Sequence, residues 1–247
     1  MTSEADGLLL LQVHRETGFV FDECGRMVHE GAPDRSRGRR FYFTGCADGN
    51  LAVIREDVLD DAAARLEWLL SQEPAFADPD AVPINLERYR AVLRSGGAQP
   101  ESFLGLLWVF LGPLSFGDDG RLVWSGTAEG DRVVERFEQV MAASLRERGF
   151  RTVADLWAPW CVATIDGQVV SVAETVRSSS GGAEVGIDTA IEWRSRGLGA
   201  TVTAGWSRHP ELQGRTLFYS TSRDNTSSRK LTQRLDLRFL GSTFAVA

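Results

Sequence analysis

One short stretch of this 247-residue chain has the residue types and spacing of an anion-binding loop. It lies between a predicted strand and a predicted helix and reads Arg194-Ser195-Arg196-Gly197-Leu198-Gly199-Ala200. Two glycines let the backbone turn tightly, and the helix that follows supplies unpaired N–H groups and the positive end of its dipole. Arg194 and Arg196 can pair with phosphate. The stretch predicts a site for a pyrophosphate-bearing ligand; the alternative is an ordinary glycine-containing helix start.

The loop does not match the other common phosphate-binding patterns. A dinucleotide fingerprint, G-x-G-x-x-G, would need glycine at position 202, where the chain has Val202. The sequence also has no Walker lysine, no G-x-S-x-G elbow and no H-E-x-x-H pair.

Three carboxylates lie on predicted strands close to the loop: Glu174, Glu184 and Asp188. Strand alternation places Glu184 and Asp188 on one face, opposite Ile187 and Thr189, unless a bulge near the middle of the strand changes the count. A carboxylate in a cleft can take a proton from an ammonium group. Each of the three can instead be a solvated or ion-paired surface residue.

The second half of the chain predicts alternating helices and strands. An apolar stripe predicts a continuous helix over about 129–149, and Asp166-Gly167 predicts a hairpin between strands at 160–165 and 168–176. A strand at 183–190, a helix at 198–208, a strand at 216–220 and a helix at 226–235 follow. The order predicts a mixed α/β (α+β) fold.

The first half predicts a smaller α/β unit. It contains short predicted strands, an amphipathic helix over about 56–71 and a second helix that begins near Leu86 and ends at Ser95-Gly96-Gly97. We therefore predict an N-terminal domain over residues 1–125 and a C-terminal domain over residues 126–247. The N-terminal half is expected to help complete the sheet.

The composition of the chain argues against several functions and partners. The formal net charge of −7 argues against a nucleic-acid binder, which needs a basic face. The three cysteines and three histidines have no metal-ligand spacing, so no metal site is predicted. The early apolar run, residues 8–11, is too short for a signal segment or a membrane span, so we expect a cytoplasmic protein without a membrane partner.

Residues 129–240 resemble the GNAT superfamily of acyl-CoA-dependent N-acyltransferases. Arg194-x-x-Gly197-x-Gly199 matches the pyrophosphate loop of that family, between its fourth strand and third helix. A second stretch resembles the fifth strand, the loop asparagine and the fourth helix. It consists of residues 217–222 followed by Asn225, Ser228, Leu231 and Leu235. The whole chain is most similar to a bacterial branch with an N-terminal extension that is partly GNAT-like.

The resemblance implies how acetyl-CoA would bind. The fourth strand would separate from the fifth, and the pantetheine arm would lie in the gap and bond the backbone as another strand would. The pyrophosphate would contact the N–H groups of residues 195–200. The coenzyme-binding residues that the resemblance implies are Ile187, Asp188, Thr189, Arg194, Ser195, Arg196, Gly197, Leu198, Gly199, Ala200, Asn225 and Ser228.

The resemblance also implies an activity, transfer of an acetyl group to a primary amine of a small molecule or peptide. Glu184 is our predicted general base. Many family members carry a tyrosine acid seven residues after the loop asparagine, where this chain has Thr232, and a Gly-aromatic pair where it has Asp236-Leu237. Tyr219 is the predicted replacement, with solvent or a nearby serine as alternatives. The alternative function is a non-catalytic acyl-CoA-binding regulator or sensor, and the chain could be a monomer or a homodimer.

Overall fold

The computed structural model describes residues 6–94, 100–115, 117 and 121–247. Within these ranges the chain forms eleven strands and eight α-helices. The strands are β1 (Phe19–Phe21), β2 (Met27–Glu30), β3 (Phe41–Cys46), β4 (Gly49–Ile54), β5 (Ser102–Val109), β6 (Leu122–Trp124), β7 (Trp160–Ile165), β8 (Gln168–Ser178), β9 (Gly182–Thr189), β10 (Thr216–Ser222) and β11 (Arg238–Val246). The helices are α1 (Gly7–Gly18), α2 (Asp60–Ser71), α3 (Leu86–Leu93), α4 (Ala128–Glu135), α5 (Phe137–Val140), α6 (Ala143–Glu147), α7 (Leu198–Ser207) and α8 (Thr226–Arg234).

Nine strands form one sheet in the order β4-β3-β11-β5-β10-β9-β8-β7-β6, and β1 and β2 form a separate hairpin. Neighbours in the sheet are antiparallel except β9 and β10, which are parallel. The predicted mixed α/β class is confirmed. Strand β5 of the first half lies between β10 and β11 of the second half and bonds to both. The boundary predicted near residue 125 therefore does not divide the sheet, and the two-domain organisation stays a prediction.

Helices cover both faces of the sheet. Helix α1 packs on one face, where Leu10 and Leu11 contact the side chains of β5 and β10, and α4 to α6 cover the same face at β7 and β8. Helices α7 and α8 lie on the opposite face in the second half, and α2 and α3 cover that face at β3, β4 and β11. Successive residues of β9 and β10 therefore point alternately toward α1 and toward α7 and α8.

The sequence predicts the β7–β8 hairpin correctly. Asp166 and Gly167 both have positive φ angles, 49° and 77°, the pair of left-handed residues that a two-residue hairpin turn requires. The strands on either side pair in antiparallel fashion up to Ile165 opposite Gln168. The Asp-Gly pair therefore predicts both the position of the turn and the pairing of Ile165 with Gln168.

The continuous helix predicted over 129–149 is wrong. The segment forms three short helices, α4 to α6. Helix α4 ends before Arg136, whose φ of −111° and ψ of 19° are not helical, and after α5 the backbone becomes extended at Met141 and bonds to the sheet. Met141 bridges to Val169 of β8, and the amide of Ala142 donates to the Val169 carbonyl at 3.1 Å. The apolar stripe is nevertheless buried as a group: Val133, Phe137, Met141 and Leu145. The periodicity predicts the buried face but not the main-chain bonds that interrupt the helix.

One further element was not predicted from the sequence, and one predicted turn cannot be compared with the structure. Helix α1, which begins in the apolar run at residues 8–11, is not predicted; its first turn is capped by the Asp6 carboxylate, which accepts from the Leu8 amide at 2.9 Å. The turn predicted at Ser95-Gly96-Gly97 after α3 lies outside the described residues.

No helix in the described ranges is both long and apolar enough to cross a membrane. No group of three or more His, Cys, Asp or Glu side chains in those ranges is placed to hold a metal ion.

Candidate active site

The parallel strands β9 and β10 separate along their length. Their backbone pairing covers residues 216–218 against residues 182–184, and its last pair is Phe218 with Glu184. Strand β10 continues beside β5, and β9 continues beside β8. A gap therefore opens between residues 185–189 and residues 219–222. This is the strand separation that the resemblance implies for the pantetheine arm.

The loop before α7 turns through a left-handed residue and leaves the start of the helix without a side-chain cap. Gly197, the residue before the helix, has φ +85° and ψ −4°, a left-handed conformation that glycine adopts without strain. A Cβ at this position would lie 2.9 Å from Nη2 of Arg234. Because no side chain caps α7, the first N–H groups of the helix are left for another partner.

A cavity of about 550 Å³, here called the loop cavity, is lined by residues 187–189, the loop before α7 and the first turns of α8. Every residue predicted to bind the coenzyme lines it except Arg196, whose guanidinium instead lies 4.5 Å from the centre of the Trp193 ring. The lining also contains four cationic side chains, Arg148, Arg194, Lys230 and Arg234. Together with the N–H groups of α7, they make the loop cavity suitable for a polyanionic ligand.

A second cavity of about 430 Å³, here called the carboxylate cavity, is lined partly by the first half of the chain. Its described charged residues are Glu30, Asp34, Arg177 and Glu184. Both cavities are lined by Ile187, Tyr219, Asn225 and Ser228. The two cavities therefore meet at the gap between β9 and β10.

Glu184 is buried and fully engaged in polar contacts. Its carboxylate accepts a hydrogen bond from the Ser220 hydroxyl, lies 3.2 Å from Nη1 of Arg177 and 3.6 Å from Nε2 of His14. Burial alone would raise the pKa of Glu184, but Arg177, His14 and Ser220 together hold it well below its ordinary value. The carboxylate is therefore ionised and stabilised as an anion, which makes it a weak proton acceptor. Its role as general base stays a prediction.

Tyr219 lies at the junction of the two cavities. Its ring is buried on the α7 and α8 face, 6.2 Å from the Trp108 ring between centroids. Burial raises the pKa of the phenol, and hydrogen bonding with Ser228 and Thr221 partly opposes the rise. The phenol is therefore protonated at neutral pH and is available as a proton donor, the role that the sequence predicts for it.

Glu174 is a second buried carboxylate on the same face of the sheet as Glu184. It pairs across the strands with Gly186, and its Oε2 accepts from the Trp157 amide at 2.7 Å. Burial raises the pKa of Glu174 to about 7, with the Trp157 amide opposing the rise and the charges of Asp188 and Asp155 adding to it. Trp157 and Gly186 line the carboxylate cavity, so Glu174 lies directly behind its wall.

Asp188 and Thr232 have other partners. Asp188 lines the loop cavity and is bound by Arg148, with 2.6 Å between Nη2 and Oδ1. Thr232, at the position of the family tyrosine, is buried, and its hydroxyl donates to the Arg229 carbonyl of its own helix at 2.9 Å. Asn225 caps α8 by accepting from the Ser228 amide. The site thus lacks a proton donor at position 232 but has Tyr219 nearby.

Several residues around the carboxylate cavity are not predicted from the sequence. Arg177 joins Glu184 to Glu30, with 2.9 Å between its Nη2 and Oε2 of Glu30, and Glu30 accepts from the Tyr42 hydroxyl at 2.6 Å. His14 contacts Glu184 from α1. The available signal is weak: Glu174, Arg177 and Glu184 are charged residues inside otherwise apolar strands, a pattern that marks a buried pair or a site.

Comparisons with known proteins give structural matches only. No family model and no curated protein matches the chain. A GNAT-family protein from Novosphingobium aromaticivorans DSM 12444 is 21% identical over 62% of this chain and 67% of its own, with a TM-score of 0.46. A GCN5-related N-acetyltransferase-like protein from Streptococcus suis 89/1591 is 15% identical over 100% and 95%, with a TM-score of 0.46. A GCN5-related N-acetyltransferase from Kribbella flavida is 16% identical over 97% and 93%, with a TM-score of 0.43. These three structural matches are to GNAT-family or GCN5-related proteins.

Proposed function

We propose that this chain is a GNAT-type N-acyltransferase that moves the acetyl group of acetyl-CoA to a primary amine. The observation that carries the proposal is the gap between β9 and β10, at which the loop cavity and the carboxylate cavity meet. One cavity is cationic and rich in free N–H groups, and the other is closed by residues of both halves of the chain. This arrangement suits a phosphorylated donor and an amine acceptor that react in the gap.

The coenzyme would occupy the loop cavity. Residues 195–200 and the first turn of α7 would bind the pyrophosphate, with Arg194 adding charge. The backbone of residues 187–189 would bond the pantetheine arm as a strand does. Acetyl-CoA supplies the thioester, so in the reaction a C–S bond breaks and a C–N bond forms while a proton passes from the amine to the thiol. The protein contributes orientation, exclusion of water and proton transfer.

The proton from the amine needs an acceptor, and two carboxylates are available. Glu174, with a pKa of about 7, is ionised to a useful extent at neutral pH and remains basic enough to take a proton. Glu184 faces the carboxylate cavity more directly, but its ion pair makes it less basic. We propose Glu174 as the base, acting directly or through a water molecule, and the pH dependence of Glu174→Gln tests it against Glu184.

The proton that the thiol gains would come from Tyr219. Its phenol is protonated and lies at the junction of both cavities, which Ser228 also lines. Thr232 cannot take this role, because its hydroxyl is committed to a helix carbonyl. Tyr219 would thus replace the missing tyrosine from the neighbouring strand.

A product assay tests the proposal. The purified chain is incubated with acetyl-CoA and a panel of primary amines, free thiol is measured, and the amines are examined by mass spectrometry for a gained acetyl group. We expect thiol release that depends on an amine and matches the acetylated product one to one. Thiol release without an acetylated amine, or no release with any amine, would contradict the proposal.

The second candidate is a non-catalytic acyl-CoA-binding regulator. The observation that favours it is the loss of the usual acid, with Thr232 buried and bonded within its own helix. This function predicts tight binding of acetyl-CoA with no turnover in the product assay. Binding together with turnover supports the enzyme instead.

A further inference from the structure

The backbone pairing of β9 and β10 ends where a side-chain bond between them begins. Glu184 is the last paired residue of β9. Its carboxylate accepts from the hydroxyl of Ser220, which lies on β10 two residues beyond the last paired position, Phe218. The bond therefore joins the two strands at the narrow end of the gap.

This bond is anchored by a partly buried polar network, here called the Glu184 network, that consists of His14, Glu30, Tyr42, Arg177, Glu184 and Ser220. Arg177 contacts both Glu184, at 3.2 Å, and Glu30, at 2.9 Å. Glu30 is fixed in turn by the Tyr42 hydroxyl at 2.6 Å. The network includes residues of α1, β2, β3, β8, β9 and β10, so the Glu184 carboxylate is held from both halves of the chain.

The position of Ser220 affects the side chain beside it. Tyr219 is its neighbour on β10 and points to the opposite face, where its phenol lines both cavities. A displacement of the β10 backbone at Ser220 would therefore move the phenol as well. Phe218, on the other side of Tyr219, is fixed by backbone pairing to both β5 and β9.

We propose that Glu184 and Arg177 are positioning residues: through the hydroxyl of Ser220 they set the width of the gap at its closed end and align Tyr219 for proton transfer. The effect on catalysis rests on the proposed function, whereas the side-chain bridge between Glu184 and Ser220 does not. Glu184 thereby has a role different from that of a base. Glu184 acts through Ser220 and Tyr219, and this role does not require it to be basic.

The Ser220→Ala variant tests the bridge with the smallest possible change. It removes one hydroxyl and leaves all charges of the network in place. We expect kcat to fall about 10-fold, since small misplacements of reacting groups have large effects on rate. We also expect Ser220→Thr to recover most of the loss, and the shape of the pH–rate profile to stay unchanged in both variants. The matched control is Ser222→Ala, on the same strand but lining neither cavity.

A double variant separates positioning from a general structural effect. If Ser220 acts through Tyr219, then Tyr219→Phe combined with Ser220→Ala loses no more activity than Tyr219→Phe alone. If Ser220 only stabilises the fold, the two losses multiply. Multiplied losses, or a Ser220→Ala variant with wild-type kcat and KM, would overturn the inference.

Hydrogen exchange tests the bridge without turnover. We expect the backbone amides of residues 219–222 to exchange faster in Ser220→Ala than in wild type, while those of β3 stay unchanged. If the wild type proves inactive, a faster exchange still supports the bridge and only the proposed function fails. Unchanged exchange in residues 219–222 would contradict the bridge, whatever the activity.

Discussion

The loop cavity and the carboxylate cavity meet at one gap but are built in different ways. The loop cavity consists mainly of two continuous stretches, residues 187–200 and 225–234, and its anion-binding groups are largely backbone N–H groups. The carboxylate cavity is built from side chains that are far apart in the sequence and held by ion pairs, such as Arg177 and Glu30, 147 residues apart. The first cavity should therefore depend on local backbone geometry, and the second on tertiary structure.

The difference has a functional meaning. A backbone site for pyrophosphate needs few specific side chains, so it serves any acyl-CoA-dependent reaction of this type. The carboxylate cavity, in contrast, is lined partly by Glu30, Ala32, Asp34 and Ser36 of the N-terminal half, and no described residue of that half lines the loop cavity. Under the proposed function, the first half of the chain would help to shape the acceptor site.

The largest expected effect is at the loop cavity. The double variant Gly197→Glu, Gly199→Glu adds two carboxylates and a Cβ at the left-handed position 197. We expect the affinity for acetyl-CoA to fall roughly 1,000-fold, about 4 kcal/mol, as measured by equilibrium dialysis. The control is Gly181→Glu, an exposed turn position at the other end of β9. Equal affinity in the double variant and the control would exclude the loop as the coenzyme site.

The second prediction compares how much an ion pair at each cavity contributes to the stability of the fold. Arg177→Leu removes the cation shared by the buried Glu184 and the half-buried Glu30, so we expect the free energy of unfolding to fall by about 3 kcal/mol. Arg148→Leu removes the more exposed ion pair with Asp188 of the loop cavity and should cost only about 0.5 kcal/mol. Urea denaturation measures both. Similar losses in the two variants would mean that the Glu184 network is no more important for stability than a surface pair.

The third prediction concerns proton transfer. If Glu174 is the base, it must be ionised, so kcat/KM should fall as the pH drops below about 7 and level off above it. Glu174→Gln should lower activity about 100-fold and remove this limb. The ratio of wild-type to variant rates is measured across pH, because the ionisation of the acceptor amine cancels in it. A ratio that stays constant from about pH 5 to about pH 9, roughly two units on either side of the Glu174 pKa of about 7, would exclude Glu174 as the base.

The smallest predicted effect is at the junction of the cavities. Tyr219→Phe removes the phenol hydroxyl and keeps the buried ring, so we expect kcat to fall about 10-fold with little change in acetyl-CoA affinity. Steady-state kinetics measure kcat, and dialysis measures the affinity. A variant with unchanged kcat would mean that solvent or a serine donates the proton.

The contrast between the cavities also explains what the sequence could predict. The loop at 194–200 and the hairpin turn at Asp166-Gly167 are recognisable because contiguous residues with restricted backbone conformations determine them. The break between α5 and α6 was missed, since it lies where the Ala142 amide bonds to the Val169 carbonyl, and no periodicity encodes that bond. Arg177 and His14 were missed for the same reason: their partners are brought close only by the sheet and α1.

The central claim is that acetyl-CoA binds in the gap between β9 and β10. The most direct measurement is a calorimetric titration of the purified chain with acetyl-CoA, repeated with the Gly197→Glu, Gly199→Glu double variant. We predict binding at one molecule per chain with a Kd on the order of micromolar, about −8 kcal/mol, that is lost in the double variant. No heat of binding up to about millimolar acetyl-CoA, or equal binding by the double variant, would contradict the claim.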